Sequence, residues 1–429
     1  MNAPGVRTLD LWDLLKRPLT DNNGEPIGRL SDVIVRWRGA EPPLVTGLVA
    51  AVAGRDVYVP VEQASAADPA VLRLTTNEID LRKFDRRHGE VLLRADVLGH
   101  RLIDVASARL VKAVDLRLEQ RDGDWVLAGV DTRRRPRRIF GSRAVATGLT
   151  GGQYFRDWAD FEPLIGHAGS ALLRRPFGRI RRLKPAQIAD LLEEASRAEE
   201  TEILGQVHAD PELEADVFEE LHEDLATRLL GARTDADIAA VLARMRADDA
   251  ADTVAELPQS RRQPVLNLLP VGQRTKVLTL LGFNPASAGG LMGVDFVAVP
   301  LQARAQEALN AVAGAAGMQP EALTSVHVLD QGGRLAGVVR LVELVQADQS
   351  APITDIYDDD PVRVGAGTDV ADVAVLMSDY NLITVPVVDD RRTMIGIITV
   401  DDVLEATLPR DWRRREAAEP PDAHHGDSS

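Results

Sequence analysis

Two stretches decide how the C-terminal third of the chain is read: Ser325-Val-His-Val-Leu-Asp330 with Arg334-Leu-Ala-Gly-Val-Val339, and Thr384-Val-Pro-Val-Val-Asp389 with Met394-Ile-Gly-Ile-Ile-Thr399. Each is a β-branched run, a polar turn carrying an acidic residue and a second β-branched run, which is the pattern of a hairpin. Upstream of the first hairpin, Val297-Ala-Val-Pro300 reads as a further short strand, and each hairpin is followed by a stretch with helical spacing of its apolar residues. Two rounds of strand, helix, hairpin and helix therefore occupy 284–347 and 348–410. A unit this small does not bury its own sheet, so the two rounds are expected to fold against each other.

Outward from this pair, the period of 183–283 is helical, with Ile188, Leu191 and Leu192, and later Val241, Leu242 and Met245, spaced three and four apart. Prolines at 185, 211, 258, 264 and 270 mark helix starts. The fragments Ala189-Asp-Leu-Leu-Glu-Glu194, Ala215-Asp-Val-Phe-Glu-Glu220 and Ala251-Asp-Thr-Val-Ala-Glu256 repeat one another, which predicts a small α-solenoid. Residues 141–182 read as a basic linker. From Asp131 to Arg182 there are 12 arginines against four acids, with Tyr154, Phe155, Trp158 and Phe161 interleaved. A tether docked on an acidic neighbour is the favoured reading there, and an anionic lipid or RNA contact the alternative. Residues 1–140 alternate as short strands, 32–37, 46–52, 56–60, 109–118 and 125–130, with a faint duplication of Gly28-Arg-Leu-Ser-Asp-Val33 in Gly99-His-Arg-Leu-Ile-Asp-Val105. The tail, 411–429, is expected to be disordered.

Composition narrows the function. In 429 residues, 45% hydrophobic and 27% charged, there is ample material for several cores. There is no cysteine, hence no disulfide, thiolate metal site or cysteine nucleophile, which fits a cytosolic setting. The apolar runs near 44–53 and 394–400 fall well short of the roughly 20 residues of a membrane helix, so the chain is expected not to span a bilayer. A net charge of −16 argues against specific nucleic-acid binding. With the 131–182 segment at +8, the remainder is still more acidic, and a divalent cation relieves that kind of self-repulsion.

The stretch Asn284-Pro-Ala-Ser-Ala-Gly-Gly-Leu-Met292, Val297-Ala-Val-Pro300 and Gly396-Ile-Ile-Thr-Val-Asp-Asp-Val-Leu-Glu405 resemble the cytosolic half of the MgtE magnesium-transporter family, in which a helical N domain precedes a tandem CBS pair. The resemblance covers 183–409, no membrane half is expected to follow it, and the first 140 residues resemble a PRC-barrel, a partner-binding β fold. The implied architecture is multidomain α+β: β-barrel, α-solenoid and α/β CBS pair.

Asp402 and Glu405 lie three apart and so share a helix face. Capping alone explains the same spacing, since Thr399 and Asp402 also form an N-terminal box. The resemblance implies a regulatory Mg2+ at Asp402 and Glu405, facing Asp248, Asp249 and Asp252 of the helical domain. Asn381 stands where the family carries a further aspartate, which weakens any site that uses it. CBS pairs also hold adenine nucleotides, ATP or AMP, through a pattern met here by Gly396, Thr399 and Asp402. The first repeat has Arg340 in place of the hydroxyl.

No enzyme motif stands out. His222-Glu223 lacks a second histidine four residues on, and Gly365 and Gly367 form no phosphate loop. The reading is a non-enzymatic, cytoplasmic Mg2+ sensor, homodimeric through its CBS pair, whose β-barrel region contacts a membrane transporter or another protein. An adenine-nucleotide sensor and a scaffold that senses nothing remain as alternatives.

Overall fold

The computed structural model describes residues 7–38, 41–65, 71–76, 80–87, 89–133, 155–164 and 179–408. The expected tail, the middle of the basic linker and Tyr154 lie outside the described residues. Two compact units divide the chain, 1–221 and 222–429. The helical region predicted as one domain is thus shared, with three of its helices in the first unit and the rest in the second.

The first unit is built on an eleven-stranded sheet. Its long central hairpin pairs Pro26–Arg38 with Glu41–Val52, and three register shifts along that hairpin bend it. The bend wraps the sheet around one apolar core that contains Leu11 and Leu14 of helix α1 (Leu11–Lys16) together with Val33, Val35, Val57, Leu93, Leu116 and Leu127. The sequence predicts one strand over 109–118. Instead the chain breaks at Ala113 and Val114, so that Arg109–Lys112 pairs with Arg101–Asp104 in a small second sheet and Asp115–Arg121 joins the main one.

The faint duplication pairs different residues from those its sequence match aligned. Asp32 is buried and accepts hydrogen bonds from the backbone N–H groups of Val33, Arg94 and Ala95. Asp115 does the reciprocal thing, accepting from Leu116 and from Trp12 at the start of α1. Each half therefore satisfies the otherwise bare N–H groups at a helical turn of the other half. The counterpart of Asp32 is Asp115 rather than Asp104, which instead caps the turn at Ala106 and Ser107 and pairs with Arg156.

The linker reading of 155–164 is overturned. Phe161–Pro163 is the third strand of the small sheet, and Trp158 and Phe161 are fully buried, with Trp158 stacked on Trp37 at 5.3 Å. Arg156 pairs with Asp104 at 2.8 Å, and buried Arg179 donates to the carbonyls of Trp158 and Phe161. Aromatics spaced three apart in a basic run here fill a core, because the arginines around them find carboxylate and carbonyl partners inside the same unit.

Helices α2 (Pro185–Glu194), α3 (Arg197–Val207) and α4 (Pro211–Glu219) complete this unit. They are tied to the small sheet by Arg101, whose Nε donates to Glu199 at 2.8 Å. In the second unit α5 (Glu223–Gly231), α6 (Asp235–Leu242), α7 (Ala247–Glu256), α8 (Gln259–Leu268) and α9 (Val271–Leu280) follow. Here α5 packs on α7, α6 on α8 and α7 on α9, the next-but-one stacking expected of a solenoid. Pro185 and Pro211 open helices as predicted, and Pro258 and Pro270 sit at N-caps. Pro264 does not start a helix; it lies inside α8.

The two hairpin rounds form matching three-stranded sheets. Ala298–Pro300 runs parallel to Ser325–Leu329, which pairs antiparallel with Leu335–Arg340; Val364–Gly365, Thr384–Val388 and Met394–Thr399 repeat the arrangement, with the register shift at the same step. Helices α11 (Ala305–Gly314) and α12 (Leu341–Gln346) accompany the first sheet, α13 (Val370–Tyr380) and α14 (Val400–Thr407) the second.

The boundary at 347/348 does not describe the packing, because the segments leading into each round are exchanged. The short α10 (Ala288–Leu291) docks on the second round: Ala288 and Gly289 donate to Thr368 and Ala366, and Gly293 bridges Ile397. Conversely, Ala305 and Ile353 link 351–353 to the first round. The glycines of the 284–292 motif serve this docking. A Cβ on Gly289 would lie 3.0 Å from the carbonyl oxygen of Ala366, and one on Gly396 2.7 Å from that of Gly293.

Candidate functional site

Thr399 ends a strand in extended conformation and becomes the N-cap of α14. Its hydroxyl donates to Asp402 Oδ2 at 2.7 Å, and its N–H donates to the same oxygen at 2.9 Å. The capping box is thus present, and it consumes one carboxylate oxygen. The other, Oδ1, takes a hydrogen bond from Arg246 Nη1 at 3.3 Å, which joins α14 of the second CBS-like round to the start of α7.

Arg246 is the N-cap residue of α7, with φ −55° and ψ 149°. Its Nε also donates to Asp249 Oδ2 at 2.7 Å. One guanidinium therefore holds two carboxylates of different domains. Asp402 is 7% exposed. Burial pushes its carboxyl above the ordinary range and the charge of Asp248 pushes the same way, while the Thr399 hydrogen bonds and the Arg246 charge oppose them.

One turn further along α7, the Asp252 carboxyl is pushed up to about 6, first by the protein packed around it and then by the charges of Asp248, Glu223 and Glu256. Its side chain still reaches water, so the three like charges are the part of that shift the geometry supports most directly.

Of the predicted site residues, Asp402, Asp248 and Asp249 are brought to one seam, and Asp252 lies beside it on α7. Glu405 is exposed on the next turn of α14. Asn381 is exposed and occupies the left-handed C-cap of α13 at φ 52°, a conformation that asparagine tolerates better than most residues. Gly396 packs against 292–293, and Thr399 and Asp402 are bonded to one another. Among the described residues no three His, Asp or Glu side chains stand at metal-cage spacing. A hard divalent cation that keeps most of its waters needs only one or two of these carboxylates, and a cation, the guanidinium, already sits on them.

Sequence reasoning missed Arg246 and Glu223. An arginine directly before Ala-Asp-Asp at a helix start was the available signal, whereas nothing local connects Glu223 to Asp252.

Residues 183–286 match the family model described as the MgtE intracellular N domain, and residues 353–408 that of the CBS domain. The chain carries the MgtE N domain and a CBS pair. The magnesium transporter MgtE of Thermus thermophilus is 35% identical over 177 residues, which is 41% of this chain and 39% of that protein. MgtE of Enterococcus faecalis is 32% identical over 130 residues, covering 30% of this chain and 28% of its own. The chain thus spans less than two fifths of either relative.

Among solved structures, the cytosolic domain of the Mg2+ channel MgtE in complex with ATP superposes with a TM-score of 0.51 at 28% identity, over 55% of this chain and 97% of that one. The soluble part of a magnesium transporter gives 0.50 at 27% identity, over 54% and 90%. No helix of the described residues is long and apolar enough to cross a membrane.

Proposed function

We propose that this chain is a magnesium-responsive regulatory protein. Mg2+ at the seam between α7 and α14 would govern how firmly the MgtE-type helical domain is held on the second CBS repeat, and the β region would pass that state to a partner protein, a separate transporter or another membrane protein. The observation that carries this reading is the convergence of Asp402 with Asp248 and Asp249 across the seam, where a cation is needed to hold like charges together. In this reading the chain catalyses no reaction and works in the cytoplasm.

Selective binding to the closed form at a hundredfold excess over the dissociation constant contributes about 2.7 kcal/mol, enough to shift a two-state equilibrium. Exposed Val342 and Val345 on α12, and Val375 and Tyr380 on α13, give the CBS pair an apolar surface suited to a second copy. Small-angle scattering and hydrogen exchange across a Mg2+ titration test the proposal. Compaction and protection of α7 and α14 are expected in the natural chain and not in Asp402→Asn, and equal curves in the two would refute it.

A second reading, nucleotide sensing at Gly396, Thr399 and Asp402, is favoured by the ATP complex of the related cytosolic domain. Calorimetry with ATP and AMP decides it: heat that vanishes in Asp402→Ala supports the nucleotide.

A further inference from the structure

We propose that Arg246 is a tethered cation that holds α7 on α14 without metal and competes with Mg2+ for Asp402. This rests on the magnesium reading for the identity of the competitor, but not for the clamp itself.

The geometry is specific. Asp402 Oδ2 is committed to the N-cap of its own helix, bonded to both the N–H and the hydroxyl of Thr399. Only Oδ1 faces across the seam, and Arg246 Nη1 occupies it at 3.3 Å while Nε holds Asp249 at 2.7 Å. The two side chains are 26% and 7% exposed, so this pair is screened less than a surface salt bridge. Because Arg246 is the N-cap residue, its backbone is fixed by the helix it starts, and the guanidinium fork spans two carboxylates from a short, anchored base.

A guanidinium and a metal ion held at one carboxylate oxygen repel each other. Mg2+ that binds Asp402 Oδ1 competes with Nη1 for the same negative charge, beside a positive charge that remains attached to the chain. Two consequences follow. The metal-free seam is held rather than flung open by like charges, so the response to Mg2+ is damped. The Mg2+ concentration at half-response is also raised, because the ion works against an occupant that never diffuses away. Arg246 in this way sets the working range of the site.

The test uses the full chain and Arg246→Gln, which keeps much of the side-chain length and removes the charge, with Arg246→Lys as the second variant. Hydrogen exchange of 247–256 and 400–407 is followed in chelator and through a MgCl2 titration, with far-UV circular dichroism to show that each variant is folded. In chelator, Arg246→Gln should exchange about tenfold faster at both helices than the natural chain, a factor equivalent to about 1.4 kcal/mol. Added Mg2+ should restore protection at a midpoint about tenfold lower than in the natural chain. Arg246→Lys, with charge but no fork, should move both quantities in the same direction by less; this reading stands alone if the glutamine variant fails to fold.

Unchanged exchange in chelator overturns the clamp. An identical Mg2+ midpoint in all three proteins overturns the competition for Asp402 and leaves the magnesium reading intact. Faster exchange in chelator that no Mg2+ reverses, with a natural chain equally indifferent to Mg2+, upholds the clamp and removes the magnesium reading.

Discussion

Acidification should loosen the first CBS repeat through one side chain, His327. It lies in the middle strand of the first repeat, fully buried, with Nδ1 3.0 Å from the carbonyl oxygen of Val297 and its ring edge-on to Phe296 at 5.7 Å. That contact makes Nδ1 the protonated nitrogen and leaves Nε2 as a bare acceptor with no hydrogen-bond partner. Alternation puts Val326 and Val328 in the repeat's own core and Ser325 and His327 on the opposite face, where Thr384 of the other repeat donates to the Ser325 hydroxyl at 3.1 Å.

A proton on Nε2 would place a charge in that dry layer. Burial therefore lowers the His327 pKa to about 4, with the Val297 carbonyl opposing the shift. The folded state takes up the proton only near pH 4, the unfolded state near 6.5. Between those values the unfolded chain binds more protons, so this contribution is fully present above pH 6.5 and is lost as the pH falls through the window. The gap of about 2.5 pH units corresponds to about 3 kcal/mol.

His327→Leu removes the titrating group and the bare acceptor. Val297 keeps a donor in the His327 backbone N–H at 2.9 Å, so the stability change at neutral pH should stay within about 1 kcal/mol. The assay is hydrogen exchange of peptides over 325–340, corrected for intrinsic rates, in both proteins near pH 7 and near pH 4.5. The natural chain should lose about 2 kcal/mol or more of local stability relative to the variant over that interval. Parallel loss in the two proteins would refute the argument.

Asp32→Ala strips the acceptor from three backbone N–H groups and should cost the first unit about 3 kcal/mol in urea unfolding followed by the fluorescence of Trp12, Trp37, Trp125 and Trp158. Asp115→Ala, with two such bonds, should cost less. Asp402→Ala removes both the capping box and the Arg246 contact, and exchange across 400–407 should report a loss of about 1–2 kcal/mol without unfolding of the first unit. Because the folded-state pKa of Asp252 is raised to about 6, its ionisation disfavours the folded state, and stability falls as the pH rises from about 4 to 6. The thermal midpoint of the natural chain, taken relative to Asp252→Asn, should therefore be higher near pH 5 than near pH 8; a difference independent of pH would dismiss the crowding of α7.

The hairpins, the solenoid and their order along the chain were legible because alternation, helical spacing and turn residues are local signals. The Thr399–Asp402 box was legible for the same reason, three residues being one helical turn. Other features were not. The segments 284–293 and 349–358 join the opposite CBS repeat because backbone groups find partners there, and no local pattern encodes that exchange. Trp158 and Phe161 looked like tether residues since their partners are distant in sequence, Trp37 stacking on Trp158 and Asp104 pairing with Phe161 across the small sheet.

Charge separates the two levels most sharply. From the sequence alone came acids on the first turns of two helices in a chain with a large negative excess, and hence the need for a cation. Which cation stands between them was decided by the fold, since the distance from residue 246 to residue 402 exists only once α7 and α14 are packed. Coulomb energy depends on that distance and on how much water surrounds the pair, and neither quantity is defined in an unfolded chain.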